Sequence, residues 1–112
     1  MKRGDVWWAS LSDPQGSAAG YRRPVVIVQA DSFNVSNINT VIVVPLTTNL
    51  RLADAPGNVT VTAAQSGLPK ESVANVSQIL TVDKRFLTEF VGEVPPKVLQ
   101  RVEAGMRMVL AL

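Results

Sequence analysis

Residues 20–28 read GYRRPVVIV, so that Arg22, Arg23 and Pro24 lead directly into an apolar run. Proline fixes its own φ angle and disfavours a helical conformation in the residue before it, so we expect Arg23 to be extended at the start of a strand. The planar, permanently charged guanidinium group is well suited to phosphate recognition. This stretch therefore predicts a buried strand with two arginines at its beginning.

A second apolar run, at residues 40–46, ends beside two hydroxyl side chains, Thr47 and Thr48. Near-continuous apolar runs are typical of strands that are buried on both faces, as in a barrel, and we expect such strands at residues 24–30 and 40–46. Residues 31–39 form a polar link between them. Arginines at the start of one strand and threonines at the end of the other are thus expected to converge on one site.

The flanking segments predict more strands. Tryptophans 7 and 8 lie in an expected first strand at residues 6–11, where packing in a core or at a dimer interface is favoured over stacking on bases. Residues 58–62 alternate between apolar and polar side chains, as in a strand with one exposed face. The remaining expectations are a long loop at residues 12–21, a polar loop at 49–57, a bent strand at 72–78 and an ambiguous segment at 81–90, where Asp83 caps a short helix.

The C-terminal residues predict the one clear helix of the chain. It is expected to start at Pro95 or Pro96, since proline is favoured in the first helical turn, and to run towards Leu110. An apolar stripe recurs at helical spacing along it. We expect this stripe to pack on the sheet; its members are Val98, Val102, Met106 and Val109, flanked by Leu99 and Leu110.

Composition restricts the class of protein. The chain has 112 residues, of which 46% are hydrophobic and 18% charged, values that fit a single folded domain covering residues 1–112. Gly4 and Asp5 follow the basic residues Lys2 and Arg3, where a secretory signal would begin its apolar core. No apolar run approaches the roughly 20 residues that span a bilayer. A cytoplasmic protein without a membrane partner is therefore expected.

Cysteine and histidine are both absent from the chain. Their absence excludes a disulfide framework, a thiolate zinc site, a cysteine nucleophile and the usual acid and base at neutral pH. Any hydrolytic chemistry must then use carboxylates, arginine, hydroxyl groups or the substrate itself. The nine carboxylates are scattered, without the spacing of a calcium-binding loop. We therefore expect no dedicated metal site and no cofactor.

The formal net charge is only +2, which does not indicate a general nucleic-acid coat. Basic residues are nevertheless concentrated in the first half of the chain, where they can form a local positive groove. Solvated surface arginines fit the charge count equally well. The basic residues concerned are Lys2, Arg3, Arg22, Arg23 and Arg51.

Five motifs, in order along the chain, resemble the MazF/PemK family of toxin endoribonucleases. They are RGDVWW at 3–8, the segment 20–31 with its Arg-Pro pair, VVPLT at 43–47, GLPKESV at 67–73, and SQ at 77–78 followed by TVDK at 81–84. Each motif is weak alone, but their joint order and spacing are specific. The resemblance covers essentially the whole chain.

The resemblance implies a mainly β fold, an SH3-like β-barrel with a C-terminal helix, and a homodimer. It also implies sequence-specific, metal-independent cleavage of single-stranded mRNA. In that reaction the 2′-hydroxyl of the substrate attacks the adjacent phosphorus, leaving 2′,3′-cyclic phosphate and 5′-hydroxyl ends. A nucleophile supplied by the substrate agrees with a chain that lacks histidine and cysteine. The implied partner is a small acidic antitoxin whose disordered tail competes with RNA for the groove.

The family's functional residues map onto particular positions of this chain. Arg23 matches the catalytic arginine, which would stabilise charge on the phosphorane, and Thr47 matches the catalytic threonine, which would position the scissile phosphate. Gln78 corresponds to a position that touches RNA, where its amide can both donate to and accept from a base edge. The further candidates for contacts with RNA are Thr48, Ser17 and Arg22.

The chain departs from the family pattern at several positions. Ala18 and Ala19 stand where many relatives have Glu-Gln, and Leu80 stands where an arginine is common. Asn75 corresponds to a further catalytic arginine of some members, and Ser77 to an acidic residue of others. These departures leave the general base unassigned and the target sequence open.

Two other functions remain open from the sequence. The same barrel resembles CcdB, a toxin that poisons gyrase and has no chemistry of its own. A noncatalytic RNA-binding module is the third possibility, supported mainly by the missing acid at Ser77. Retention of Arg23 and Thr47 favours the nuclease.

Overall fold

The two apolar runs form adjacent strands at the centre of one sheet in the computed structural model, which describes residues 1–11 and 21–112. Seven strands are present in these residues: β1 Asp5–Ser10, β2 Arg22–Ile27, β3 Thr40–Thr47, β4 Val59–Val61, β5 Ser72–Ala74, β6 Leu80–Asp83 and β7 Leu87–Glu93. Three α-helices accompany them: α1 Asp31–Asn34, α2 Ala63–Ser66 and α3 Pro96–Leu110. Three short 3-10 helices span Leu50–Asp54, Val76–Gln78 and Lys84–Phe86.

The strand order is β4-β5-β3-β2-β1-β7, with β6 paired to the first half of β3. Every strand pair is antiparallel. Strand β3 joins two parts of the sheet, because Val43 pairs with both β2 and β6 whereas Leu46 and Thr47 pair with β5. The sheet consequently curls into a half-barrel. The expected mainly β architecture with a C-terminal helix is confirmed.

Strands β2 and β3 are largely buried on both faces, as their apolar runs predict, although Ile42 of β3 is 39% exposed. Val26 and Val44 belong to a core cluster that also includes Val98 of α3. The alternate side chains, among them Val25 and Val43, belong to a second cluster on the other face of the sheet. Since each fully buried valine contributes about 1.5–3 kcal/mol to folding, these strands are the most strongly anchored part of the sheet.

Helix α3 begins at Pro96, within the predicted start, and buries Val98, Val102 and Gly105. The prediction that its last turn shares the packed face is wrong. Val109 and Leu110 are 39% and 48% exposed. The helix packs against β4 and the 3-10 helix Val76–Gln78. No helix in the described ranges is long and apolar enough to cross a membrane.

Several predicted boundaries need correction. The strand predicted at residues 24–30 ends at Ile27, and the polar link that follows contains α1. The polar loop predicted at 49–57 contains a 3-10 helix, and the ambiguous segment 81–90 contains most of β7. The loop predicted at 12–21 lies almost wholly outside the described residues.

Two local predictions are confirmed. The segment predicted as a bent strand is β5 followed by a 3-10 helix that ends at Gln78. Asp83 caps the next 3-10 helix, because its carboxylate accepts the backbone N–H of Arg85 at 3.0 Å. The two 3-10 helices change the direction of the chain next to β3. The one that ends at Gln78 positions polar side chains at the end of the half-barrel.

Candidate functional site

A cavity of about 380 Å³ opens where the start of β2 lies beside the end of β3. Its polar lining is basic or hydroxylic, and no carboxylate belongs to its described lining. The residues that bring charge or hydroxyl groups to it are Arg22, Arg23, Thr47, Thr48, Lys70 and Ser72. We call it the larger cavity, because it is the larger of the two cavities that Arg23 lines. A surface of this composition is suited to bind an anion such as a phosphodiester.

A smaller cavity, of about 160 Å³, lies on the other side of Arg23. Tyr21, Asn75 and Gln78 contribute its polar groups, and its apolar wall is formed by Leu11, Pro45 and Leu80. Arg23 lines both cavities. The guanidinium is thus placed between a basic cavity and a cavity that carries an aromatic ring and two amides.

Arg23 is positioned by the strand that carries it. It pairs with Ala9 of β1, and Pro24 follows it as the sequence predicts. The side chain is half-buried, and its guanidinium carbon lies 5.4 Å from the centre of the Tyr21 ring. No carboxylate of residues 1–11 or 21–112 pairs with it. A half-buried guanidinium without an anionic partner in the described chain is available to an anionic ligand.

Thr47 is held at the end of β3, where it pairs with Val73 of β5. On the other side of β3 lies the antiparallel strand β2, where Val25 pairs with Pro45. If this register is continued by two residues towards the start of β2, Arg23 comes opposite Thr47. The Thr47 hydroxyl oxygen accepts the backbone N–H of Asn49 at 3.2 Å. Because that bond uses a lone pair of the oxygen, the hydroxyl hydrogen remains available to donate to a ligand.

Arg22 lies at the rim of the larger cavity, where other groups restrain it. One of its terminal nitrogens lies 3.4 Å from the carboxylate of Glu89 and 3.5 Å from the hydroxyl of Thr88. Its guanidinium carbon also lies 4.9 Å from the centre of the Trp8 ring. Exposed ion pairs are weak, so a phosphate can compete with Glu89 for this arginine.

The two tryptophans differ in role. The ring of Trp7 meets Phe90 edge to face at 5.7 Å, and Trp7 packs against the second core cluster, in agreement with the expected packing role. Trp8 packs against the first cluster and also forms part of the wall of the larger cavity. Only Trp8 therefore adjoins the candidate site.

The predicted site residues are brought together in large part. Arg23 and Thr47 share the larger cavity with Arg22 and Thr48, and Gln78 shares the smaller cavity with Arg23. Ser17 lies outside the described residues.

Only some of the basic residues expected in a positive groove reach the candidate site. Lys2, Arg3 and Arg51 line neither cavity. Arg3 instead forms an ion pair with Glu103 of α3 at 2.7 Å. Its Nε also donates to the carbonyl oxygen of Val28 at 2.9 Å. This arginine therefore fastens the N-terminus to α3 rather than contributing to the site.

Asp31 of α1 takes part in the same N-terminal contacts. Its carboxylate accepts the backbone N–H of Arg3 at 2.8 Å and the side-chain amide of Asn34 at 3.0 Å. These two hydrogen bonds lower the pKa of Asp31 below its ordinary value.

In the described chain, no group of three or more acidic side chains is placed to hold a metal ion.

Sequence reasoning missed Lys70 as a cationic residue of the larger cavity. The turn that carries it is anchored on its N-terminal side, where Leu68 is buried and its N–H donates to the Ser66 hydroxyl at 3.0 Å. Pro69 follows with a fixed φ angle, and Ser72 on the C-terminal side is buried at the start of β5. The Leu-Pro-Lys sequence between two strands is the signal that indicates a lysine on a rigid turn.

Comparison with known proteins finds relatives that match along the whole chain. A family model described as PemK-like, MazF-like toxin of type II toxin-antitoxin system matches residues 2–110. Endoribonuclease MazF6 of Mycobacterium tuberculosis is 44% identical over 112 residues, which cover all of this chain and 98% of the relative. Endoribonuclease EndoA of Bacillus subtilis is 35% identical over 112 residues, which cover all of this chain and 96% of the relative.

Solved structures share the fold. An endoribonuclease in complex with its cognate antitoxin from Mycobacterial species superimposes with a TM-score of 0.82 at 25% sequence identity, covering all of this chain and 96% of that chain. A MazE-MazF structure from Deinococcus radiodurans superimposes with a TM-score of 0.84 at 22% identity, again covering all of this chain and 96% of that chain. The half-barrel with its C-terminal helix is therefore a fold that these proteins have in common.

Proposed function

The chain belongs to the PemK-like, MazF-like family of toxins of type II toxin-antitoxin systems, and from this membership we propose that it is an endoribonuclease that cleaves single-stranded mRNA. We further propose that cleavage occurs at short sequences and needs no metal ion. One observation carries the proposal. Arg23 and Thr47, which match the family's catalytic pair, line one cavity whose described lining is cationic and free of carboxylates.

The proposed chemistry uses the 2′-hydroxyl of the RNA as nucleophile. The 2′-oxygen loses its proton to solvent and forms a bond to the adjacent phosphorus, the bond from phosphorus to the 5′-oxygen breaks, and the 5′-oxygen takes up a proton from solvent. The products carry a 2′,3′-cyclic phosphate and a 5′-hydroxyl. Negative charge develops on the phosphoryl oxygens in the transition state, where Arg23 is placed to stabilise it and the hydroxyl of Thr47 to donate to it. Proton transfer is assigned to none of the acidic side chains, because none belongs to the described lining of either cavity.

The remaining cationic and polar side chains would bind the rest of the RNA. Lys70 and Arg22 both line the larger cavity, and we propose that they contact phosphates that neighbour the scissile one. Thr48 adds a hydroxyl group to the same cavity, and Gln78 brings an amide to the smaller cavity, where a base edge can be recognised. The larger cavity therefore serves the backbone and the smaller cavity serves a base.

The cationic cavity also supports an acidic protein partner. One structural relative is an endoribonuclease in complex with its cognate antitoxin. We propose that this chain has a cognate antitoxin whose acidic, disordered tail occupies the cavity and competes with RNA for Arg23. Homodimer formation and a location in the cytoplasm, where mRNA is present, complete the proposal.

The test is cleavage of a long single-stranded RNA by the purified chain in excess EDTA, followed by analysis of the new ends. We expect discrete cuts with cyclic-phosphate ends from the wild type and none from a folded Arg23→Ala variant. Cleavage that requires added metal, or that survives in Arg23→Ala, would contradict the proposal. If the folded wild type binds RNA without cutting it, the chain is a noncatalytic binder. Inhibition of gyrase without RNA cleavage would instead identify a toxin of the CcdB kind.

A further inference from the structure

The side-chain amide of Asn58 is fixed in one orientation by the backbone. Its Oδ1 accepts the N–H of Val76 at 3.0 Å, and its Nδ2 donates to the carbonyl oxygen of Leu52 at 2.9 Å. A backbone N–H can only donate and a backbone carbonyl can only accept. The assignment of oxygen and nitrogen in Asn58 therefore follows from its partners and cannot be reversed without losing both bonds.

Asn58 in turn fixes the amide of Asn75. The second hydrogen of Asn58 Nδ2 faces Asn75 Oδ1 at 3.4 Å, and the hydroxyl of Ser77 donates to the same oxygen at 3.2 Å. If the amide of Asn75 were flipped, its NH₂ group would face the NH₂ group of Asn58. The Ser77 hydroxyl can accept as well as donate, so it is the fixed Nδ2 of Asn58 that holds the Asn75 oxygen in this orientation. The Nδ2 of Asn75 has no acceptor among the described residues, and Asn75 lines the smaller cavity, so we expect this N–H group to be the donor that a ligand meets there.

The neighbours of Asn75 in this cavity suit a flat heterocycle. Tyr21 is 42% exposed, and its backbone is tied to β1 because its carbonyl oxygen accepts the N–H of Leu11 at 2.9 Å. The Arg23 guanidinium lies over its ring. Gln78 adds a second amide, which is exposed and can adapt to its partner. An aromatic ring beside amide groups is how proteins stack and read single-stranded bases.

We propose that the smaller cavity is a nucleobase subsite in which Tyr21 stacks on a base next to the scissile phosphate and Asn75 reads its edge as a fixed donor. The proposal rests on the proposed function and names the base class that this site takes. A fixed donor favours a base that presents a carbonyl oxygen and disfavours one that presents an amino group. The proposal includes that the base turns its position-4 edge towards Asn75, because uracil has an oxygen there and cytosine an amino group, whereas both bases carry an oxygen at position 2. The subsite should therefore prefer uracil.

Two oligonucleotides that cannot be cleaved provide the direct test. We would measure the equilibrium binding of 2′-O-methyl oligouridine and 2′-O-methyl oligocytidine, which lack the free 2′-hydroxyl that attacks phosphorus. The wild type should bind oligouridine at least about five-fold more tightly, the discrimination expected from one base-edge hydrogen bond. Equal binding, or tighter binding of oligocytidine, would overturn the proposal.

The substitution Asn75→Asp tests the residue itself. An aspartate keeps an oxygen for Ser77 and Asn58 but replaces the cavity-facing donor with an acceptor of the same shape. The ratio of the two affinities should then reverse in favour of cytosine, even if the added negative charge weakens both complexes. Asn37→Asp is the matched control, since Asn37 is exposed and lies before the opposite end of β3, and it should leave the ratio unchanged.

Two further variants keep the test decisive if Asn75→Asp does not fold. Asn75→Ala should abolish the preference, and Tyr21→Ala should weaken both complexes while Tyr21→Phe retains them. An unchanged ratio in Asn75→Ala would overturn the role of Asn75. The binding ratio does not depend on cleavage, so a wild type that prefers uridine but does not cut RNA would contradict the proposed nuclease and leave the subsite standing. A wild type that cuts RNA but binds oligouridine and oligocytidine equally would support the proposed nuclease and overturn the subsite.

Discussion

Gly105 of α3 packs directly against the carbonyl of Gly57, so closely that a Cβ on Gly105 would collide with the oxygen of that carbonyl. The same Cβ would lie 3.2 Å from a methyl group of Val76, which is fully buried. Gly57 itself has a φ angle of +84°, a conformation that L side chains rarely adopt. This contact sets how closely α3 approaches the 3-10 helix Val76–Gln78, and thereby supports the wall of the smaller cavity.

Gly105→Ala is therefore expected to destabilise the fold although alanine is the better helix former. Overpacking against an immobile backbone costs about 1–3 kcal/mol, which exceeds the roughly 1 kcal/mol gained in helix propensity. The free energy of unfolding in urea measures the balance. Gln100→Ala, at an exposed position of the same helix, serves as control and should change stability little. A Gly105→Ala variant as stable as the wild type would contradict the close contact.

Thr47→Val should abolish most of the RNA cleavage without unfolding the chain. Valine has nearly the shape of threonine but cannot donate to a phosphate, and loss of one such donor typically lowers kcat by about 10²–10³-fold. Thr47→Ser keeps the hydroxyl and should retain activity within about ten-fold of the wild type. Single-turnover cleavage rates of the two variants separate the effect of the hydroxyl from that of the methyl group. Equal losses in both variants would count against a role for the hydroxyl.

Lys70→Met should weaken RNA binding and also reduce its dependence on salt. If Lys70 neutralises one phosphate, the slope of log affinity against log salt should become less negative by about 0.7, the value for single strands. Methionine preserves much of the apolar stem and removes the charge. Lys97→Met, at an exposed position of α3 away from both cavities, is the matched control and should leave the slope unchanged. Identical slopes for the two variants would remove Lys70 from the binding surface.

Glu89→Gln should tighten RNA binding, because it releases Arg22 from the carboxylate that lies 3.4 Å away. We expect a gain of a few-fold at low salt and a change in stability below about 1 kcal/mol, as for other exposed ion pairs. Glu93→Gln removes the same charge from the other end of β7 and controls for net charge. The interpretation fails if both variants gain equally, since the gain would then come from overall charge.

Asp31→Asn should lower stability at neutral pH but not in acid. Hydrogen bonds from the backbone of Arg3 and the amide of Asn34 lower the pKa of Asp31 from 3.8, so its charged form favours the folded state. That contribution is present above the ordinary pKa and is lost as the pH falls through the lowered value. Urea unfolding of the wild type and of Asp31→Asn should be measured from neutral pH into acid. The difference between their free energies of unfolding should disappear in acid. The exposed Asp54→Asn is the control.

The elements that sequence reasoning located are those with long, regular patterns. The runs at 24–30 and 40–46 predicted strands buried on both faces, and the stripe of α3 predicted the C-terminal helix. Strand β7 was missed because two register shifts against β1 interrupt its alternation and most of its side chains are exposed. Helices α1 and α2 span four residues each, too few for periodicity to indicate them. The capping box of Thr62 and Gln65 was the one local signal for α2.

The site was predictable where it depends on strand ends and not where it depends on turns. Arg23 and Thr47 follow from the positions of two buried strands. The Leu-Pro-Lys sequence indicates a rigid turn that carries Lys70, but it does not indicate that this turn lies beside the end of β3. The orientation of the Asn75 amide depends on Asn58, whose partners are distant in sequence. Chains of hydrogen bonds of this kind become visible only once the backbone is placed.

The pairing of β1 with β7 has a consequence for synthesis of the chain. The residues that line both cavities end at Leu80, whereas the second edge of β1 is covered only by residues 87–93 and the first core cluster is completed only by α3. A nascent chain on the ribosome therefore contains every residue of the proposed site before it contains the elements that hold those residues in place. We expect the active fold to form only after β7 and α3 have been synthesised, so the residues of the proposed site emerge before they can act.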